Sequence, residues 1–161
     1  MTRAGERNRP WYSRAMAHGL TPPEVDEAVG RAVLALSRDH RIELAYLFGS
    51  ATDASSRSPR DLDLAILTRL PLSLDDLTRL RAELVQATGL PVDLVSLNGA
   101  TTVLAHEVVE TGRCLYARHP DVETEFVTRT RSRYWDFAPY RAAQWRLAGE
   151  RIEERLGGAQ S

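Results

Sequence analysis

Apolar positions recur first with a helical period and then with a strand period. Thr21-Pro22-Pro23-Glu24 has the form of a capping box with proline at the first helical position. Val25, Ala28, Val29, Ala32, Val33 and Leu36 follow at helical spacing, which predicts an amphipathic helix over 22–39. Residues 42–48 are apolar, partly alternating, and stop at Gly49-Ser50, as a buried strand does. The small, polar stretch 51–60 reads as a loop that opens with a helical turn after Ser50. Residues 61–67 alternate cleanly, so they form a second strand with Leu62, Leu64 and Ile66 facing the core. Ser73 with Asp76 caps a helix that runs to Thr88 and stops at Gly89. A third strand over 91–96, a short helix over 102–110 closed by Gly112, and a fourth strand over 113–117 come next. From Pro120 the pattern is helical almost to the end, with a break expected at Pro139.

The order is α-β-β-α-β-α-β-α. Direct passage from the first strand to the second permits an antiparallel pair, which argues against a purely parallel, doubly wound sheet. The expected fold is α/β of the α+β kind, a small mixed sheet backed by helices with a C-terminal helical arm. No internal repeat and no rich linker divides the chain. The expected organisation is a flexible tail over 1–20, a core domain over 21–118, and a helical extension over 119–161 that could contact a partner. Met16 is an alternative start to Met1.

Composition narrows the classes. At 161 residues and 43% hydrophobic, the chain can bury one core of ordinary size. The formal net charge of −1 argues against a whole-molecule basic footprint, so no direct nucleic-acid binding is expected. A single cysteine, Cys114, excludes a disulfide scaffold and a multi-thiolate zinc site, and points to a reducing, cytoplasmic compartment. No apolar run approaches the length that spans a bilayer, and the Arg-rich residues 1–19 lack the apolar stretch of a signal peptide. The basic residues are all Arg, which rules out Schiff-base and P-loop lysine chemistry.

Three features could carry chemistry. Gly49-Ser50 leaves the first strand; glycine permits close backbone approach, and serine offers a hydroxyl and an N–H to a phosphate oxygen. Asp61 and Asp63 lie two apart on the second strand, so both carboxylates should project from one face. Asp93 is a lone acid inside the apolar third strand, where aspartate is depleted. Paired carboxylates repel unless a cation neutralises them, and hard oxygen ligands suit Mg²⁺ bridging to substrate phosphates. A third acid from a neighbouring strand would complete a site for two metals, with Asp93 as ligand or general base. Taken singly, Asp-x-Asp reads as the solvent face of an edge, Gly-Ser as a strand end, and Asp93 as a capping acid; their conjunction carries the functional reading.

Gly49-Ser50, ten residues, then Asp61-Leu62-Asp63 has the form G-S-x10-D-x-D, preceded by Leu47-Phe48. This resembles the signature of the DNA polymerase β-type nucleotidyltransferase superfamily. Over about residues 21–157 the chain is similar to the minimal nucleotidyltransferases of the MntA family, the antitoxins of HEPN/MNT (type VII) toxin–antitoxin systems. The resemblance implies a nucleotidyltransferase-like fold and Mg²⁺-dependent transfer of AMP from ATP to a tyrosine of a cognate HEPN RNase toxin. The adenylate would inactivate the toxin. Gly49 and Ser50 would hold the triphosphate, Asp61 and Asp63 would bind Mg²⁺, and Asp93 would be the third catalytic and metal-binding carboxylate. A hetero-oligomer with the toxin fits the same picture. One departure is Arg60, where the superfamily often has Ser. Two other readings are an antitoxin that masks its toxin by binding alone, and a small-molecule nucleotidyltransferase of the aminoglycoside-modifying type.

Other features read as structural. Arg113-x5-His119 has the spacing of a HEPN nuclease motif but falls on a strand followed by Pro120. His18, His40 and His106 lack metal-ligand spacing, Cys114 reads as core filling, and Ser55, Ser56 and Ser58 lie in a loop. In the C-terminal arm, Arg129, Arg131 and Arg133 interleave with Tyr134, Trp135, Phe137 and Tyr140, and Trp145, Ala148, Ile152 and Leu156 share a helical stripe. That stripe packs within the molecule or anchors a partner.

Overall fold

The computed structural model describes residues 20–52 and 59–140, together with 143 and 146. Helix α1 spans Pro22–Arg38. Its start is set by the expected cap: the Thr21 N–H donates to Glu24 Oε2 at 2.9 Å. Strand β1 is Ile42–Phe48 and continues into a 3-10 turn over Gly49–Thr52. Strand β2 is Leu62–Thr68. Helix α2, Leu74–Thr88, opens with the Asp76 N–H donating to Ser73 Oγ at 3.1 Å and closes at Gly89, whose φ is +69°. Strand β3 is Val92–Ser96, helix α3 is Thr102–Thr111, and strand β4 is Arg113–Ala117. Helix α4 spans Pro120–Asp136.

The sheet order is β3-β2-β1-β4. β1 pairs antiparallel with both β2 and β4, while β2 and β3 are parallel. The expected mixed sheet is therefore what forms, and it separates two cores. On one face Leu62, Leu64 and Ile66 pack with Leu36 of α1 and Leu84 of α2, all fully buried. On the other, Tyr46 and Ala65 pack with Val108 of α3 and Phe126 of α4. Helices covering both faces explain why Ala45, Leu47, Ala65 and Ile66 are buried on successive or alternate positions of β1 and β2. Beyond the last residues of β2 and β3, Asn98 closes the sheet: its Oδ1 accepts from Thr68 N at 3.0 Å and from Thr68 Oγ1 at 2.9 Å, and its Nδ2 donates to Thr68 O at 2.7 Å.

Three expectations shift. Leu20, assigned to the tail, is buried, and its N–H donates to Pro59 O at 2.7 Å, so packing begins before the cap. Asp61 precedes β2 instead of opening it, because the ladder to β3 starts with Leu62 N–H donating to Pro91 O at 3.0 Å. The helical break falls at Phe137, ahead of Pro139, since a proline ring disturbs the turn before it. Residues 1–19, Ser55, Ser56, Ser58 and the stripe from Trp145 to Leu156 lie outside the described residues. Among the described residues, no helix is long and apolar enough to cross a membrane.

Candidate active site

The last residue of β1 and the first residues of β2 and β3 meet at one end of the sheet. Phe48 is the register partner of Asp63 across the antiparallel pair, and Asp93 is its partner across the parallel pair. Residues in register share a face, so Asp63 and Asp93 project together, on the face opposite Leu62 and Leu64. Asp61 stands just before the strand, and its charge reaches Asp63.

The electrostatics follow from this crowding. Asp63 is pushed up to about 6, first by burial, then by the charge of Asp61, then by that of Asp93. No basic side chain among the described residues forms an ion pair with Asp61, Asp63 or Asp93. Three acids thus converge with no ion-paired cation among the described residues.

Gly49 completes the arrangement. Its φ is +69°, a region that favours glycine. A Cβ built there would lie 2.2 Å from Asp63 Oδ2 and 3.0 Å from Asp63 Cγ. The sequence pointed to Gly49 for close approach of a phosphate. The structure adds a second requirement, that the backbone make room for the Asp63 carboxylate. Ser50 follows, exposed, in the same 3-10 turn, and Arg60 is exposed beside Asp61.

Oxygen donors bearing unbalanced negative charge fit Mg²⁺. Among the described residues, no three acidic, histidine or cysteine side chains form a group that could hold a metal ion by themselves. Mg²⁺ is usually held by one or two carboxylates plus substrate phosphates, so an open acidic face suits it better than a closed protein cage.

The remaining candidates fall outside this site. Arg113 lies on β4 with an ion pair to Asp26 at 3.7 Å, and His119 is the N-cap of α4, so the nuclease-like spacing is not on one helix. His106 stacks on Tyr134 with ring centroids 3.5 Å apart. Cys114 packs against the second core, and its thiol is raised to about 11, chiefly by burial, which leaves it protonated and unreactive. The pattern also gave no sign that Tyr46 OH donates to Glu123 Oε1 at 3.2 Å, tying β1 to α4. That contact joins residues 77 apart in sequence.

Residues 33–121, more than half of the chain, match the family model "Polymerase beta, Nucleotidyltransferase". Among solved structures, one similar chain comes from the complex of tri-AMPylated Shewanella oneidensis HEPN toxin with MNT antitoxin. It is 27% identical with a TM-score of 0.65, and the match covers 77% of this chain and 98% of that one. A chain of the MntA–HepT toxin–antitoxin complex is 27% identical with a TM-score of 0.62, covering 75% and 96%. A chain of a toxin–antitoxin structure with AMP-PNP is 28% identical with a TM-score of 0.61, covering 80% and 98%. No curated protein matches the chain. With the G-S-x10-D-x-D residues gathered at one end of the sheet, the chain belongs to the polymerase β nucleotidyltransferase family.

Proposed function

We propose that this chain is a Mg²⁺-dependent protein adenylyltransferase that moves AMP from ATP to a tyrosine of a cognate HEPN RNase toxin and so neutralises it, in the cytoplasm. One observation carries the reading: the Asp63 carboxylate sits against the bare backbone of Gly49 and in register with Asp93. The likeness to chains from MNT–HEPN and MntA–HepT complexes supports the choice of partner, and the AMP-PNP structure supports the choice of nucleotide.

Asp61 and Asp63 would hold Mg²⁺, with Asp93 as the third carboxylate. Bound Mg²⁺ offsets negative charge on the phosphates and lowers the pKa of an attacking hydroxyl. Gly49 and Ser50 receive the triphosphate, the glycine by leaving space and the serine through its hydroxyl and N–H. The phenol oxygen of the toxin tyrosine forms a bond to the α-phosphorus, the bond from that phosphorus to the bridging oxygen breaks, and pyrophosphate leaves. Asp93, exposed at the mouth of the site, takes the phenol proton. Positioning and charge compensation then supply most of the rate. An adenylate placed near an RNA-binding cleft blocks it by bulk and negative charge.

The test is label transfer from α-labelled ATP to a HEPN protein encoded beside this chain. Transfer is expected with Mg²⁺ and not with chelator, and it is lost in Asp61→Ala and Asp63→Ala proteins that retain their circular dichroism. Absence of transfer to any such partner overturns the proposal.

One observation favours a contribution from binding alone. In the helical extension, Trp135 is 69% exposed and Tyr140 57% exposed, residue types that anchor interfaces. If masking suffices, Asp63→Ala still protects cells from the toxin, whereas Trp135→Ala does not.

A further inference from the structure

At the far end of the face that carries Asp63, a cavity of about 280 Å³ opens between β2, α3 and α4. Its floor is Leu67, four residues along β2 from Asp63, or about 13 Å away at strand rise. It is therefore separate from the acidic site.

The cavity is polar in a particular way. Thr130 of α4 lines it and is only 5% exposed. Two threonines of other helices return their hydroxyls to a carbonyl four residues back, Thr78 to Leu74 O at 2.8 Å and Thr111 to Glu107 O at 2.8 Å. Thr130 has no such bond and no other polar partner among the described residues. A buried hydroxyl without a partner carries a desolvation cost that a ligand can remove.

Two guanidinium groups stand at the same cavity. Arg129 and Arg133 both line it and are exposed. Neither forms an ion pair among the described residues, although Glu125 and Asp136 line the adjoining groove with them. Arg129 lies over the Phe126 ring at 5.9 Å. By contrast Arg131, on another side of α4, is committed to Glu110 at 2.7 Å. The first turn of α3 contributes Thr102, so the positive end of that helix lies at the cavity's rim.

We propose that this cavity is a second ligand site, one that takes a phosphate-class oxyanion. The two arginines would supply charge and the Thr130 hydroxyl a buried donor. Arg129 and Arg133 are four apart on α4, so their forks can reach one anion from the same side. The ligand is either free phosphate or the phosphate of a small nucleotide; the two share this chemistry and differ in what fills the rest of the volume.

The experiment is calorimetric titration of the full chain with inorganic phosphate and, separately, with AMP, in the absence of divalent metal. Saturable phosphate binding is expected in the wild type and in Ser50→Ala. It should weaken about tenfold or more in the double variant Arg129→Gln, Arg133→Gln, and severalfold in Thr130→Val. AMP binding more tightly than phosphate, with the same sensitivity to the double variant, assigns a nucleotide phosphate as the source. Equal affinities assign free phosphate. Thr130→Val should unfold at the same or a higher temperature than wild type without phosphate, because the hydroxyl it removes has no partner. Wild-type phosphate affinity in the double variant, or loss of binding in Ser50→Ala alone, overturns the proposal. Should the double variant fail to fold, unaltered affinity in Thr130→Val overturns it equally.

Discussion

Two glycines share one backbone conformation and differ in what surrounds them, which makes a controlled perturbation. Gly49 and Gly89 both have φ of +69°. A Cβ at Gly89 would meet nothing within 4 Å, whereas one at Gly49 would lie 2.2 Å from Asp63 Oδ2. Alanine at either site therefore carries the left-handed backbone penalty, about 1–2 kcal/mol. In a domain of this length that lowers Tm by about 2–8 °C. Only Gly49→Ala adds the clash. Ordinary contact needs about 3.5 Å, so the Asp63 carboxylate must retreat by about 1 Å. A displacement of that size at a reacting centre costs about a hundredfold in rate. Thermal unfolding and single-turnover AMP transfer to the toxin, measured on both variants, separate the two effects. The expected result is comparable or slightly greater destabilisation in Gly49→Ala, a drop of about two orders of magnitude in its transfer rate, and near-native transfer by Gly89→Ala. If Gly49→Ala transfers AMP at the wild-type rate, the close approach has no catalytic meaning and the assigned role of Gly49 is wrong.

Further predictions rest on other parts of the fold. Asp63 has a folded pKa of about 6, above its unfolded value, so the folded state binds more protons in that interval. Stability of the metal-free protein should therefore fall as pH rises from about 4 to about 6 and level off above, and Asp63→Asn should flatten that decline and raise Tm at neutral pH; unfolding curves in chelator across this range decide it. Added Mg²⁺ should reduce the same decline in the wild type, since a bound cation favours the ionised carboxylate. Leu64→Ala removes a fully buried side chain from the middle of the sheet and should cost about 2–5 kcal/mol in denaturant unfolding. Asn98→Ala breaks three hydrogen bonds to Thr68 and should cost about 1–3 kcal/mol, with faster amide exchange at Thr68 as the local signature.

The parts of this molecule that could be read from sequence are those whose causes are local. The Thr21 and Ser73 caps, the Gly89 stop and the alternation of Leu62, Leu64 and Ile66 each depend on a few adjacent residues, and each appears as expected. The strand pair β1–β2 was accessible because the chain passes directly between them. What the sequence could not supply was register. That Asp93 lies beside Asp63, and not beside Asp61 or Ala65, is set by a parallel pairing between strands separated by α2. The displacement of Asp61 from the strand has the same origin, since Pro91 fixes where the ladder begins. The cavity at Thr130 depends on how α3 and α4 pack, and no periodicity in either helix encodes a missing hydrogen bond.

Topology explains why the acids gather at this end of the sheet. β1 runs toward it and ends there, at Phe48-Gly49. Because β2 is antiparallel to β1, it starts there, and Asp63 comes opposite Phe48. A further antiparallel strand beside β2 would have brought the end of that strand to the site. Instead α2 carries the chain back, so β3 is parallel and also starts there, with Asp93 as its second residue. The end of β1 and the starts of β2 and β3 thus converge at the acids, with β4 starting at the same end on the other side of β1, while the apolar middles of these strands stay clamped between two helical layers. The repulsion among Asp61, Asp63 and Asp93 acts only at this rim. Its consequence is already visible in the raised pKa of Asp63. Substituting Asp61 or Asp93 by its amide should lower the pKa of Asp63, and carboxylate titration followed by NMR in the metal-free protein measures this directly. Asp93→Asn leaving the Asp63 titration unmoved would show that the registered pair does not interact, and the convergence on which the site depends would fail.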